Sequence, residues 1–146
     1  MRISSLLPIL WLSLFTISLP LEARESVSAA EVNGTFTNQV GSTFEILALG
    51  KNKLHVSFLG VYVYKPPKGE PMARTGEASG TADIQGDTAV LRPEGVETSC
   101  TIRIHFSKPG KIQVSQDGDS PDCGFGANVR ADGIYRKTSK VKPKQE

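Results

Sequence analysis

Residue types that could support catalysis are few in this chain. Its two histidines, His55 and His105, lie in segments where apolar and polar residues alternate, and each falls among the polar positions. A histidine that acts as a general base needs a nucleophile within hydrogen-bond reach, whereas a solvent-facing strand position is typical of an ordinary surface residue. No Gly-x-Ser-x-Gly, His-Glu-x-x-His or phosphate-cradling glycine motif occurs. The sequence therefore predicts no catalytic residue and a protein that is not an enzyme.

One acidic run could supply paired carboxylates or calcium ligands, and it contains Asp117, Asp119 and Asp122. It departs from the EF-hand template because Pro121 stands where a third ligand belongs and Asn128 where the bidentate glutamate should be. No feature of the run indicates that these carboxyl groups are buried, and burial is what would separate two carboxyl pKa values for general acid–base catalysis. We therefore predict a solvated turn, no metal site and no cofactor.

Cys100 and Cys123 are the two cysteines of the chain. Their spacing is too long for a redox Cys-x-x-Cys motif, and neither histidine lies near them in the sequence. In a small domain that functions in an oxidising compartment, an isolated pair favours a disulfide, here between Cys100 and Cys123. A reactive or metal-binding thiol pair is the alternative.

Short β-strands are the elements that must position these residues. Glycines and prolines divide the chain into segments rich in Val, Ile, Thr and aromatic residues, and no segment keeps a helical period. Alternation is clearest from Cys100 to Phe106, where every second residue is apolar. The predicted strands are Gly34–Asn38, Thr43–Leu49, Lys53–Tyr64, Ser79–Ile84, Thr88–Leu91, Cys100–Ser107, Lys111–Gln116 and Gly133–Lys137.

These strands predict an all-β fold, a single small antiparallel meander. Tight turns join most neighbours, and closing the meander into an eight-stranded up-and-down barrel would remove two exposed edges. A two-layer sandwich is the alternative, because periodicity does not distinguish closure from stacking. The links Lys65–Glu77 and Asp117–Asp132 are longer than the rest, and each is either functional or a tolerated insertion.

The first thirty residues have the order of a secretory signal peptide. A basic head precedes an apolar run over residues 3–21, and small residues follow, with candidate cleavage positions after Ala23, Ala29 and Ala30. An uncleaved anchor is the alternative, although prolines and serines make the run a weak spanning helix. We predict a signal peptide over 1–30, a β-barrel domain over 31–137, a basic disordered tail over 138–146, and a periplasmic or secreted location.

Charge is unevenly distributed along the chain. Residues 31–135 hold ten Lys and Arg against twelve Asp and Glu, whereas residues 136–146 hold five basic residues and one acidic residue. Nucleic acid is not an expected partner, because the body is near neutral and lacks a basic stripe interleaved with aromatic residues. The tail could contact an anionic envelope surface through charge that salt would screen.

Two stretches resemble known families of exported proteins. Ala78-Ser79-Gly80, then Gly86 to Leu91 and then Cys100, resemble part of the membrane-bound and periplasmic C-type lysozyme inhibitors, which fold as small eight-stranded barrels. The family's Ser-Gly-x-x-Tyr motif reads here with Asp83 in place of the tyrosine. The endings Cys-Gly-Phe-Gly at 123–126 and Gly-x-Tyr-Arg at 133–136 are similar to small exported proteins described as lysozyme-inhibitor-like.

The resemblance implies a binding protein with a lysozyme-type muramidase as its partner. It places Ser79 and Gly80 at the binding site, where a protruding loop would occlude the carbohydrate cleft. Two other hypotheses stay open. One is a lipocalin-like carrier of a small apolar ligand, with a cavity lined by residues such as Ile46, Val56 and Ile104. The other is a structural envelope protein that makes its contact through the tail.

Overall fold

Eight antiparallel strands close into one barrel in the computed structural model, which describes residues 26–97 and 99–144. Each strand pairs with the next in sequence, and β8 returns to pair with β1. The all-β prediction and the up-and-down barrel are confirmed, and the two-layer sandwich is wrong. The elements are α1 (Ala29–Val32), β1 (Gly34–Thr37), β2 (Thr43–Gly50), β3 (Lys53–Tyr64), β4 (Met72–Gln85), β5 (Thr88–Leu91), β6 (Thr101–Lys108), β7 (Lys111–Asp117) and β8 (Gly133–Ser139).

Packed side chains occupy the interior of the barrel. The alternating residues of β6 point inward as predicted, and Ile102 and Ile104 have no exposed surface. Aromatic rings from three strands meet there, since the Phe44 ring centroid lies 4.6 Å from that of Phe58 and 4.9 Å from that of Tyr135. Aromatic side chains bury a large apolar area each, so these rings contribute much of the core's stability.

The two ends of the barrel differ in character. At one end, here called the turn end, short links join β2 to β3, β4 to β5 and β6 to β7, and α1 lies beside them. At the other, here called the loop end, the longer connections join β3 to β4, β5 to β6 and β7 to β8. This alternation follows from the up-and-down order of the strands.

The first half of β4 departs from the sequence prediction, which had Lys65–Glu77 as a loop and began the strand at Ser79. In the structure β4 begins at Met72, and its first residues pair with the end of β3 down to Tyr64↔Met72. The stretch from Met72 to Glu77 lacks an alternating apolar pattern because it leaves the barrel and has little to bury. We call the hairpin of residues 60–76 the arm.

A short helix at the turn end was also missed. Residues 1–25 of the predicted leader lie outside the described residues, but residues 26–30 pack on the barrel, and the Val27 amide donates to the Gly86 carbonyl at 3.2 Å. Ser28 and Glu31 form a capping box at the start of α1. The hydrogen bonds that the backbone and side chain of Ser28 donate hold the pKa of Glu31 below its ordinary value.

Lys137 closes the other end of α1. Its Nζ donates to the carbonyl oxygens of Ala30, Glu31 and Asn33 at 3.2, 2.7 and 2.8 Å, which satisfies groups that a helix terminus leaves unpaired. Burial lowers the pKa of Lys137 below its ordinary value, and nearby Lys140 lowers it further. Strand β8 continues two residues past its predicted end, so the predicted tail begins within it.

None of the helical segments among the described residues is long and apolar enough to span a membrane.

Candidate functional site

Ser79 and Gly80, the residues predicted at a binding site, lie within the wall of the barrel and not on a protruding loop. Ser79 faces outward from β4, directly opposite Ser57 of β3. The Ser79 carbonyl accepts a hydrogen bond from the Glu94 amide at 2.9 Å. A β-carbon on Gly80 would lie 3.1 Å from Leu91 Cδ1 and 3.2 Å from the Arg92 carbonyl oxygen, so glycine lets the β5–β6 connection cross closely here.

An open trough of about 490 Å³ surrounds Ser79 on the outer face of β2, β3 and β4. Its polar lining combines three carboxylates with three hydroxyl groups, and no cationic residue contributes to it. The lining residues are Thr43, Glu45, Ser57, Phe58, Leu59, Glu77, Ala78, Ser79 and Glu94. The trough therefore presents negative charge and hydrogen-bond acceptors to whatever contacts this wall.

Exposed apolar side chains continue the outer face from the trough towards the arm. Leu59 is 40% exposed and Val63 is 54% exposed, and both project from the same side of β3 as Ser57. We call the trough and these two residues together the β2–β4 wall. An apolar strip beside a polar, charged trough is typical of a protein interaction surface.

The other face of the arm carries aromatic and cationic groups. The rings of Tyr62 and Tyr64 lie 6.2 Å apart with an interplanar angle of 15°, and the Arg74 guanidinium sits 4.8 Å from the centre of the Tyr64 ring. The Tyr64 hydroxyl also contacts Met72 Sδ at 3.7 Å. These cross-strand contacts order the arm beyond the barrel.

Two facing glycines join the arm to the β7–β8 connection. Gly60 and Gly76 are direct partners across β3 and β4, and both face inward. A β-carbon at Gly76 would lie 2.9 Å from Phe125 Cβ, and one at Gly60 would lie 2.5 Å from Val129 Cγ1. The absence of side chains at these two positions thus lets the connection pack against the base of the arm.

The predicted disulfide between Cys100 and Cys123 is present, with Cα atoms 5.1 Å apart. It ties the start of β6 to the β7–β8 connection, which places buried Phe125 5.2 Å from the ring of Phe58. The connection therefore covers the loop end of the barrel and is held there by a covalent link.

No protein-family model, curated protein or solved structure matches the chain. The resemblance to lysozyme inhibitors remains a hypothesis that rests on the short motifs around Ser79 and Cys123.

The two histidines that could support catalysis lie on different walls of the barrel. His55 Nε2 lies 3.4 Å from Ser57 Oγ at the edge of the trough, while His105 Nε2 contacts Asp87 Oδ2 at 3.1 Å on another wall. A serine nucleophile needs backbone or side-chain donors aimed at an oxyanion, but Ser57 lies mid-strand, paired with Glu45 and Ser79 on its two sides. The described residues contain no group of three or more His, Cys, Asp or Glu side chains placed to hold a metal ion.

The acidic run lies at the loop end, in the turn that follows β7. The Asp119 amide donates to Asp122 Oδ2 at 3.3 Å, and the Cys123 amide donates to the Asp119 carbonyl at 3.1 Å. These bonds give the run a local structural role, since they shape the turn that presents Cys123 to Cys100.

Proposed function

We propose that this protein is an exported, non-enzymatic binding protein that contacts a macromolecular partner through the β2–β4 wall. The observation that carries the proposal is that the acidic trough at Ser79 continues into exposed Leu59, beside the base of the arm, and exposed Val63 within the arm. Hydroxyls and carboxylates would provide orientation, and the apolar side chains would provide buried area. The contribution of Ser79 would then come from a trough in the barrel wall, in contrast to the loop insertion that the sequence resemblance implies.

The charge of the trough favours a cationic partner surface. Glu45, Glu77 and Glu94 line the trough with no cation among them, so a partner's lysine or arginine would find both an attractive field and vacant acceptor oxygens. A lysozyme-type muramidase is the named candidate because of the resemblance around Ser79. Inhibition would follow from steric occlusion, with the projecting arm lying across the partner's substrate cleft.

Packing in the interior speaks against the alternative of a small apolar ligand carrier. The side chains that would line such a cavity, among them Ile46, Val56 and Ile104, have no exposed surface. The contacts of Phe44 with Phe58 and Tyr135 occupy the centre of the barrel. A bound ligand would have to displace these rings, which would cost several kcal/mol of packing energy.

A binding and lysis experiment tests the proposal. The protein purified after export is mixed with C-type, G-type and I-type lysozymes, and complex formation and cell-wall lysis are followed. We expect at least one type to bind and be inhibited, with affinity falling as salt rises. No binding and unchanged lysis at large molar excess against all three would reject muramidases as the partner.

Matched charge variants locate the contact. The double change Glu45→Lys and Glu77→Lys should weaken binding by roughly a hundredfold, because like charges would then face a cationic partner. The control is Glu97→Lys with Asp117→Lys, which makes the same change in net charge at exposed positions outside the trough. Equal losses in both variants would show that the β2–β4 wall is not the contact surface.

A further inference from the structure

A row of three cations crosses the outer face of β6, β7 and β8, whereas the trough lies on β2, β3 and β4. Lys108 pairs directly with Lys111, and Lys111 pairs directly with Arg136. Neighbouring strands lie about 4.8 Å apart, so the backbones of the two outer residues of the row are about 10 Å apart. We call this row the cationic stripe.

Like charges placed directly opposite each other across strands destabilise a sheet unless something offsets their repulsion. Among the described residues, none of the three cations lies within ion-pair distance of a carboxylate. The outward positions of β7 and β8 around the stripe also lack acidic residues, and they are occupied by Gln113, Ser115, Ile134 and Thr138. Within the described residues the stripe therefore makes no direct ion pair, although the carboxylates Glu31 and Asp87 line the same pocket as Lys108.

Apolar and basic residues extend the stripe in both directions along β8, with Ile134 towards the loop end and the segment after Ser139 at the turn end. Ile134 is 51% exposed and faces outward two residues before Arg136 on β8. The chain leaves β8 at Ser139 beside α1, and the following segment adds Lys140, Lys142 and Lys144 around Val141, which is 76% exposed. Cations interspersed with exposed aliphatic side chains fit the boundary between lipid headgroups and acyl chains.

We propose that this face, formed by the cationic stripe, Ile134 and the Lys140–Lys144 segment, docks the protein on an anionic phospholipid bilayer. The stripe lies on the outer face of three neighbouring strands, which can present its cations side by side to a layer of headgroup phosphates. A soluble polyanion would satisfy the cations but would leave Ile134 and Val141 in water.

Vesicle sedimentation of the full chain, purified after export, tests the proposal. Vesicles of phosphatidylcholine alone are compared with vesicles of phosphatidylcholine and phosphatidylglycerol in equal parts, at low and high salt. We expect the protein to sediment with the anionic vesicles alone and to be released by salt. Equal binding to both kinds of vesicle, or to neither, would overturn the proposal.

The variant that neutralises the stripe is Lys108→Gln with Lys111→Gln and Arg136→Gln. We expect its partition onto anionic vesicles to fall by roughly a hundredfold. The matched control is Lys65→Gln with Lys68→Gln and Arg92→Gln, three exposed cations elsewhere on the protein. Thermal unfolding of each variant establishes that the barrel is intact, and equal losses in both variants would show that net charge alone drives binding.

Two further changes separate the bilayer from other sources of binding. Ile134→Ser should lower binding to anionic vesicles severalfold while binding to inorganic polyphosphate stays the same, because only the bilayer offers an apolar layer. If neither Ile134→Ser nor the stripe variant changes vesicle binding, and the parent protein binds polyphosphate tightly, the face would be assigned to a soluble polyanion. Removing residues 140–146 should weaken vesicle binding only in part. If this truncation abolishes vesicle binding while the stripe variant binds normally, the membrane contact belongs to the tail and not to the stripe.

Discussion

Tyr135 is the largest side chain that the barrel buries completely. Its hydroxyl donates to the Ala131 carbonyl at 2.9 Å, so the polar end of the ring is satisfied inside the core. Burial raises the pKa of Tyr135 well above its ordinary value, and Asp132 raises it further, while a hydrogen bond with Asn38 opposes the shift. The folded barrel therefore holds this phenol in its neutral form.

Alkaline pH should destabilise the protein through Tyr135. The folded state disfavours the phenolate, so this contribution to stability is complete below the ordinary tyrosine pKa of 10.0 and is lost as pH rises above it. We expect the free energy of unfolding, measured by denaturant titration, to fall steadily above that pH. In Tyr135→Phe the fall should be smaller, and an identical fall in both proteins would contradict the assignment.

The sequence indicates which individual residues are buried or bonded better than it indicates where they lie in the barrel. The alternation in β6 gave the correct inward residues, and the pairing of Cys100 with Cys123 followed from their isolation in the sequence. Ser79 was singled out from a motif, but its position in the wall depends on its cross-strand partner Ser57, which no local pattern reveals. The trough is assembled from four separate parts of the chain and was not predicted.

Packing between elements at the loop end depends on the facing glycines of the arm. Gly60 and Gly76 occupy inward positions, where any side chain would overlap the β7–β8 connection. The β7–β8 connection fills that space with Phe125 and Val129, which are both buried. The arm and the connection are therefore one packed unit, although they are distant in sequence.

Gly76→Ala should destabilise the protein by about 1–3 kcal/mol, because the new methyl group would overlap the backbone and ring of Phe125. Chemical denaturation with fluorescence or circular dichroism measures the loss. Glu77→Ala is the control, since Glu77 is exposed on the other face of the same strand, and it should change stability by less than about 0.5 kcal/mol. Equal free energies of unfolding for Gly76→Ala and the parent would mean that Phe125 moves aside for the new methyl group without loss of stability.

Elements with a strong local pattern were predicted well, and elements defined by their partners were not. The bounds of β3 and β5 agree with the prediction because alternating β-branched and aromatic residues end at clear turn residues. The first half of β4 and α1 were missed, since the former owes its structure to β3 and the latter is a single turn held by Ser28 and Lys137.

The whole molecule is held together by closure and by one covalent link. Pairing of β1 with β8 completes the hydrogen-bonded ring of strands, and the Cys100–Cys123 disulfide fixes the covering connection at the loop end. Closure was predictable because an even series of tight hairpins leaves two edges that can pair with each other. The division of the surface into an acidic wall and a cationic stripe was not, because it depends on which strands become neighbours.

Removal of the disulfide should lower stability without opening the barrel. The double variant Cys100→Ala with Cys123→Ala should lose about 3 kcal/mol of unfolding free energy, since the cysteines are 23 residues apart in sequence. Far-ultraviolet circular dichroism should keep its β signature, and amide exchange should accelerate mainly in the β7–β8 connection. Reduction of the parent protein should give the same result, and a global loss of β structure in either case would contradict this assignment.

In the arm, strands β3 and β4 run on beyond the closed ring. Pairing of β2 with β3 stops at Thr43↔Leu59, and past that point the hydroxyl of Ser42 bonds the amide and carbonyl of Val61. The edge beyond it, next to exposed Val63, is a template on which another chain could add a strand. Pro66, Pro67 and Pro71 surround the tip and cannot donate to such a ladder, so growth of aggregates from this ribbon is resisted from its outer end.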